Sequence, residues 1–114
     1  MKATRTLLHL VLFGTFALAV AGPAIADCYE SGVNCTDDHK IPKAVLRTLS
    51  CDSLWTIRNS IYNEHGYCFR TFRARSVFDN GDCYVSDASD LDFNTFEQTN
   101  IDRIVAVESE MGCR

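Results

Sequence analysis

The chain has 114 residues, of which 11 are Lys or Arg and 15 are Asp or Glu, so its formal net charge is −4 at pH 7. A chain of this length forms one domain at most. The excess of acidic over basic residues excludes general electrostatic binding to nucleic acid and a polybasic membrane-binding patch.

Residues 1–26 have the three-part pattern of an export signal. Lys2 and Arg5 precede a largely apolar stretch over residues 7–20, and Ala24-Ile25-Ala26 supplies the small residues that a signal peptidase needs. We expect cleavage after Ala26, which removes both basic residues and changes the net charge from −4 to −6. The apolar stretch is too short to span a bilayer, and no later stretch could do so. The expected location is therefore periplasmic or secreted.

The remaining chain contains all six cysteines, which are Cys28, Cys35, Cys51, Cys68, Cys83 and Cys113. In an exported protein such a set forms three disulfides more readily than it leaves a catalytic thiol free. There is no C-x-x-C pair and the histidines are scattered, so the spacing predicts no metal site, and no cofactor motif is present.

Local geometry selects among the possible cysteine pairings. The turn-rich segment between Cys28 and Cys35 can bring these two together. A helix that begins at Cys51 and runs to His65 would carry Cys68 about 20 Å away, beyond disulfide reach. We therefore predict Cys28–Cys35, Cys68–Cys83 and Cys51–Cys113.

The chain after the signal begins with a polar segment over residues 27–47, which we expect to be an irregular arm. A helix over about residues 51–65 follows, with Ser50 as N-cap and Gly66 as its stop. Leu54, Ile57 and Ile61 form its apolar stripe.

A second, shorter helix is predicted from Thr71 to about Asp79, with Phe72, Val77 and Phe78 facing the core and Asn80-Gly81 ending it. Residues 83–92 are rich in Ser and Asp and predict a loop or a short extended piece.

The strongest helix start signal comes last. Asn94 as N-cap and Glu97 three residues later form a capping box behind Phe93. One face of this third helix is expected to carry Ile101, Ile104, Val105, Glu108 and Met111, and Gly112 ends the helix. The fold class is mainly α, a small disulfide-stapled domain of about three helices preceded by the irregular arm.

The segment Leu49 to Phe69, with Tyr62-Asn63-Glu64-His65-Gly66 at its centre, resembles the YARHG domain, a small extracellular bacterial module named after its own motif. Downstream, Arg73-Ala74 and Phe78 resemble the second helix of the family, and Glu97, Asn100-Ile101 and Ile104 resemble its closing E-x-x-N-I-x-x-I helix. The resemblance covers about residues 48–113 and implies an exported helical domain over residues 48–114, with no settled molecular function. Asn63-Glu64 replaces the Ala-Arg pair of the motif, and Cys83-Tyr84 stands where the family usually has Trp-Tyr.

Arg58, Tyr62 and His65 share one helix face and form the first candidate site. Together with Glu64 they could transfer protons or bind a ligand. Alternatively, Arg58 pairs with a carboxylate such as Glu108, Tyr62 packs in the core, and His65 caps carbonyls at the helix end.

Arg70, Arg73 and Arg75 form the only basic cluster, interleaved with aromatic residues, and are the second candidate site. A solvated helix face explains them, as does a local anionic partner such as a cell-wall carboxylate or a lipid head group. For Trp55 we expect core packing rather than sugar stacking, and for Asn59 a buried hydrogen-bonding role.

The leading hypothesis is a non-enzymatic binding module of the bacterial envelope that uses these six residues to engage an envelope component or a protein partner. The alternative is a secreted inhibitor or effector that binds a specific enzyme or protein. An enzyme is the least supported class, because no nucleophile motif, paired carboxylates or phosphate loop is present, so no catalytic residue is assigned.

Overall fold

The structure is a computed structural model that describes residues 35–113. Four α-helices follow in chain order: α1 (Lys43–Leu46), α2 (Cys51–Glu64), α3 (Phe72–Val77) and α4 (Thr95–Glu110), with a 3₁₀ turn at Ala88–Asp90 before α4. Helix α4 packs against both α2 and α1. The mainly helical fold predicted from the sequence is confirmed. None of the helices in the described range is long and apolar enough to cross a membrane.

Helix α2 follows its sequence signals closely. The Ser50 hydroxyl accepts a hydrogen bond from the Ser53 backbone N–H and caps the helix. The predicted stripe of Leu54, Ile57 and Ile61 is buried. The helix ends at Glu64, and Gly66 follows with a φ of 76°, the left-handed conformation that glycine adopts without cost.

Helix α4 begins with the predicted capping box, in which the Asn94 side chain and the Glu97 side chain each bind the other residue's backbone N–H. Its buried face, however, is rotated from the one we predicted. Asn100 is fully buried, whereas Val105 is 50% exposed and Met111 is 42% exposed, so the placement of these two on the core face is wrong. The reason is that a polar residue, Asn100, occupies the core face and moves its centre away from Val105.

The described part of the predicted arm contains the short helix α1 and contributes to the main core. Ile41 and Leu46 are buried there together with Leu54, Ile57, Ile104 and Val107. The Asn100 Oδ1 accepts a hydrogen bond from the Ile41 N–H (2.8 Å), and its Nδ2 donates to the backbone oxygens of Thr36 (2.9 Å) and His39 (2.7 Å). Arg103 adds a bond to the Ile41 oxygen. Helix α4 therefore holds the arm through hydrogen bonds from its side chains to the backbone of the arm.

A second, smaller core surrounds α3 and consists of Phe69, Ala74 and Phe78, with Trp55, Tyr62 and Tyr67 packed against it. The helix is shorter than predicted and begins after its N-cap Thr71. Phe72 is 89% exposed and Val77 is 56% exposed, so their predicted place in the core is wrong. Ala74 and Phe78 define the inner face, and Phe72 lies about 200° around the helix from Ala74 at 100° per residue.

Two of the three predicted disulfides are confirmed, Cys51–Cys113 with a Cα–Cα distance of 5.5 Å and Cys68–Cys83 with 5.0 Å. The first joins the start of α2 to the end of α4. The second closes the loop that contains α3, here called the α3 loop (residues 68–83). Cys28 and the predicted signal segment, residues 1–26, lie outside the described residues, so the Cys28–Cys35 pairing stays a prediction.

Candidate binding site

Arg58 on α2 forms a paired hydrogen bond with Glu108 on α4. Its Nε and Nη2 atoms donate to the two carboxylate oxygens at 2.7 and 3.1 Å. The side chains are 25% and 14% exposed, so the pair is partly shielded from water. This is the structural alternative that the sequence left open for Arg58, and it fixes α2 against α4.

His65, directly after α2, contacts the buried carboxylate that starts α4. Its Nε2 lies 2.9 Å from Glu97 Oε2, and the same oxygen accepts the Asn94 backbone N–H at 2.9 Å. The Glu97 side chain is 7% exposed. His65 thus joins the end of α2 to the capping box of α4, which differs from the expectation that its side chain would cap the carbonyls of its own helix.

Tyr62 packs among aromatic rings at the same end of the molecule. Its ring centroid lies 5.1 Å from that of Phe93 and 5.7 Å from that of Tyr67, both in edge-on geometry. His65 also contacts Phe93, at 4.9 Å. The first candidate site therefore divides into two contacts: Tyr62 and His65 meet at Phe93, and Arg58 binds farther along α2.

Gly66 has two structural reasons to be a glycine. Besides its positive φ, a Cβ at this position would overlap the ring of Tyr84. The Gly66 carbonyl oxygen accepts the N–H groups of Tyr84 and Val85, and the Cys68 N–H donates to the Val85 oxygen. Tyr67 and Val85 consequently form a short parallel bridge beside the Cys68–Cys83 disulfide.

Glu64 adds a carboxylate close to Glu97 and to Asp37 of the arm. Partial burial of its carboxyl group raises the pKa of Glu64 above its ordinary value, the charges of Asp37 and Glu97 raise it further, and His65 lowers it. Glu64, which stands where the family motif has Arg, therefore lies near two other carboxylates and near His65, which itself contacts Glu97.

Two members of the basic cluster are already bound within the domain. Arg70 donates to the Ser86 backbone oxygen at 3.1 Å. Arg73 donates to Asp52 at 2.7 Å, and its guanidinium lies 3.9 Å from the centre of the Trp55 ring. This contact and the packing of Trp55 on Phe78 assign the tryptophan to the structure rather than to a sugar platform.

Arg75 differs from the other two arginines. It is exposed, and within residues 35–113 its side chain forms no hydrogen bond, ion pair or ring contact. Phe72 is its neighbour at spacing i, i+3 on the same helix surface and is the most exposed large apolar side chain in the described chain. We call this pair the Phe72–Arg75 face.

The structure also shows side-chain contacts whose partners the sequence did not predict. Asn100 and Arg103 hold the arm, and Asn80 holds both backbone groups of Phe69. Asn59, expected to be buried, is half-buried and donates to the Trp55 oxygen. In the sequence, Asn80 indicated only the end of a helix and Asn100 only part of the E-x-x-N-I-x-x-I pattern, and neither signal says what the side chain binds.

One group among residues 35–113 brings potential metal ligands together, namely Cys35, Asp37 and Asp38. Cys35 is disulfide-bonded and therefore offers no thiolate. Both aspartates are exposed, so the group supports no metal assignment.

A protein-family model, the YARHG domain, matches residues 31–109, which is more than half of the chain. No curated protein and no solved structure gives a significant match. The match includes most of the arm and all of α4 but its last residue, and within it lie the His65–Glu97 contact and the Gly66 turn. It describes a small domain of extracellular type, and two confirmed disulfides fit an oxidising compartment. The chain therefore belongs to the YARHG domain family.

Proposed function

We propose that this protein is an exported, non-enzymatic binding module of the bacterial cell envelope, and that its Phe72–Arg75 face binds an anionic envelope component. The observation that carries the proposal is the exposure of Phe72, which leaves 89% of its surface in water on a helix that is capped and anchored. Covering such a ring is worth about 1.5–3 kcal/mol, so a partner gains by contacting it.

The charge around this face favours an anionic partner. Residues 69–78 contain three arginines and no acidic residue, in a chain whose net charge is −4. Arg75 has no partner within the described residues, and a guanidinium binds carboxylate or phosphate through two parallel hydrogen bonds. A local basic face in an acidic protein directs binding to this helix rather than to the surface at large.

In this proposal the residues of the first candidate site have a structural role. Arg58 and His65 already contact carboxylates across the α2–α4 interface. We therefore assign them, with Tyr62, to the positioning of the helices, and we assign ligand contact to α3.

Co-sedimentation with two probes tests the proposal: purified cell-wall sacculi, and lipid vesicles that contain an anionic phospholipid. The variants are Phe72→Ala and Arg75→Ala, because Arg73→Ala would also remove the contact with Trp55. Matched controls are Phe96→Ala, an aromatic residue 40% exposed on α4, and Arg47→Ala, an exposed arginine bound to Glu110.

We expect both α3 variants to weaken retention on one of the two probes, the arginine variant mostly at low salt, and both controls to bind like the unmodified protein. The probe that responds identifies the source of the anionic groups. Equal retention of all four variants on both probes at low and high salt would contradict the proposal.

A further inference from the structure

Asn80-Gly81 is the only Asn-Gly pair in the chain. Asparagine followed by glycine is the pair most prone to deamidation, because glycine has no Cβ to hinder attack by its own backbone nitrogen on the asparagine side chain. The pair lies three residues before Cys83, within the α3 loop.

In the folded protein both reacting groups are hydrogen-bonded to other partners. The Asn80 Oδ1 accepts the Phe69 N–H at 3.1 Å, and Nδ2 donates to the Phe69 oxygen at 2.7 Å. The side-chain amide therefore binds both backbone groups of Phe69, as the backbone of an adjacent β-strand would. The Gly81 N–H donates to Asp79 Oδ1 at 2.8 Å. Attack requires both sets of bonds to open.

We call the two hydrogen bonds between Asn80 and Phe69 the Asn80 clamp. The Cys68–Cys83 disulfide lies beside this clamp, because Cys68 directly precedes Phe69. We propose that Asn80 is a deamidation site which the closed α3 loop protects and which reduction of this disulfide by a dithiol uncovers. This inference concerns the loop and does not depend on what α3 binds.

The reaction has two stages. The dithiol is oxidised to its own disulfide, and Cys68 and Cys83 become thiols. In the opened loop, the Gly81 backbone nitrogen loses its proton to solvent and attacks the Asn80 Cγ. The bond from Cγ to Nδ2 breaks, and Nδ2 takes up a proton from solvent and leaves as ammonia. Water then opens the succinimide ring to aspartate or isoaspartate.

The product cannot restore the clamp. Either acid lacks the Nδ2 donor and brings a carboxylate oxygen toward the Phe69 carbonyl oxygen, and isoaspartate also lengthens the backbone. Helix α3 has six residues, far below the length at which an isolated helix is stable, so it depends on the closed loop. Deamidation would therefore leave the loop without both Asn80–Phe69 hydrogen bonds even after the disulfide forms again.

The test incubates three forms of the full protein at mildly alkaline pH and follows conversion of Asn80 by peptide mass spectrometry. They are the oxidised protein, the double variant Cys68→Ser with Cys83→Ser, and this double variant with Gly81→Ala added. A Cβ at Gly81 meets only the side-chain carboxylate of Asp79, at 3.2 Å, which needs to shift by only a few tenths of an ångström, so the alanine fits the fold while it hinders the attack.

We expect the double variant to deamidate about thirtyfold faster than the oxidised protein, the factor that corresponds to two hydrogen bonds of ordinary strength. The added alanine should suppress most of this gain. The other five asparagines, which precede larger residues, should change little. Equal rates in the first two forms, or no effect of the alanine, would overturn the proposal.

Amide hydrogen exchange distinguishes opening of the loop from unfolding of the whole domain. In the double variant the Phe69 amide should lose protection, whereas amides of α2 and α4, joined by Cys51–Cys113, should keep it. An equally protected Phe69 amide in both forms would also contradict the proposal.

Discussion

Replacing Asn100 by alanine should remove more stability than any surface change in the domain. The Asn100 side chain is fully buried and forms three hydrogen bonds with the arm backbone, to the Ile41 N–H and to the oxygens of Thr36 and His39. In Asn100→Ala these three backbone groups lose their partner, and the arm must either stay docked without it or detach and expose Ile41.

The expected cost follows from the number of groups left without a partner. One buried polar group without a hydrogen bond costs about 1–3 kcal/mol, and the arm can rotate at least one of the three toward water, so we expect a loss of about 3–5 kcal/mol. A loss of this size is a large part of the 5–15 kcal/mol typical of a domain. For a chain of this length it lowers the melting temperature by about 15 °C or more.

Urea denaturation of the oxidised protein, followed by circular dichroism, measures the free energy of unfolding. Asn63→Ala is the matched control, because Asn63 is exposed on α2 and its side chain forms no hydrogen bond or ion pair within residues 35–113. We expect the control to stay within about 0.5 kcal/mol of the unmodified protein. A loss below about 1 kcal/mol for Asn100→Ala would refute the conclusion that α4 holds the arm through this residue.

Two further predictions concern the turn after α2. The raised pKa of Glu64, caused by burial and by the charges of Asp37 and Glu97, means that its ionisation destabilises the fold as the pH rises through that pKa. Glu64→Gln should therefore be more stable than the unmodified protein at pH 7, and the difference should vanish well below the ordinary pKa of 4.5; a variant less stable at pH 7 would contradict this. Gly66→Ala should lose about 1–2 kcal/mol in urea denaturation from its φ of 76° alone, and more because the Tyr84 ring must move; a loss under 0.5 kcal/mol would show that the turn relaxes freely.

The parts of the fold that the sequence predicted are those set by local signals. The N-cap at Ser50, the capping box at Asn94 and the glycine after α2 each act within a few residues, so their pattern is readable in one stretch of chain. The Cys51–Cys113 pairing followed from the length of a helix, which excluded the nearer partner of Cys51.

The parts that the sequence did not predict depend on tertiary contacts. Helix α1 has four residues, too few to show a helical period, and Ile41 gains its place in the core only because Asn100, 59 residues later, binds its backbone. Phe72 was placed inside because it is apolar, yet a helix of six residues has room for one inner face, and Ala74 with Phe78 occupies it.

The candidate site shows the same division. The spacing of Arg58, Tyr62 and His65 predicted one shared face. In the structure Tyr62 and His65 meet at Phe93, and the predicted pair between Arg58 and Glu108 is confirmed. The spacing could not show that Glu97, a capping residue of another helix, would also bind His65. The basic cluster looked uniform in sequence, and only the fold separates Arg75 from Arg70 and Arg73, which have partners of their own.

The proposal that α3 is the binding surface is tested most directly by comparing the dissociation constants of Phe72→Ala and Phe96→Ala on the probe that retains the unmodified protein. If a partner covers the Phe72 ring, Phe72→Ala binds about 10–100 times more weakly, and Phe96→Ala binds unchanged. Equal dissociation constants for the two variants, with both folded by circular dichroism, would show that the partner binds elsewhere.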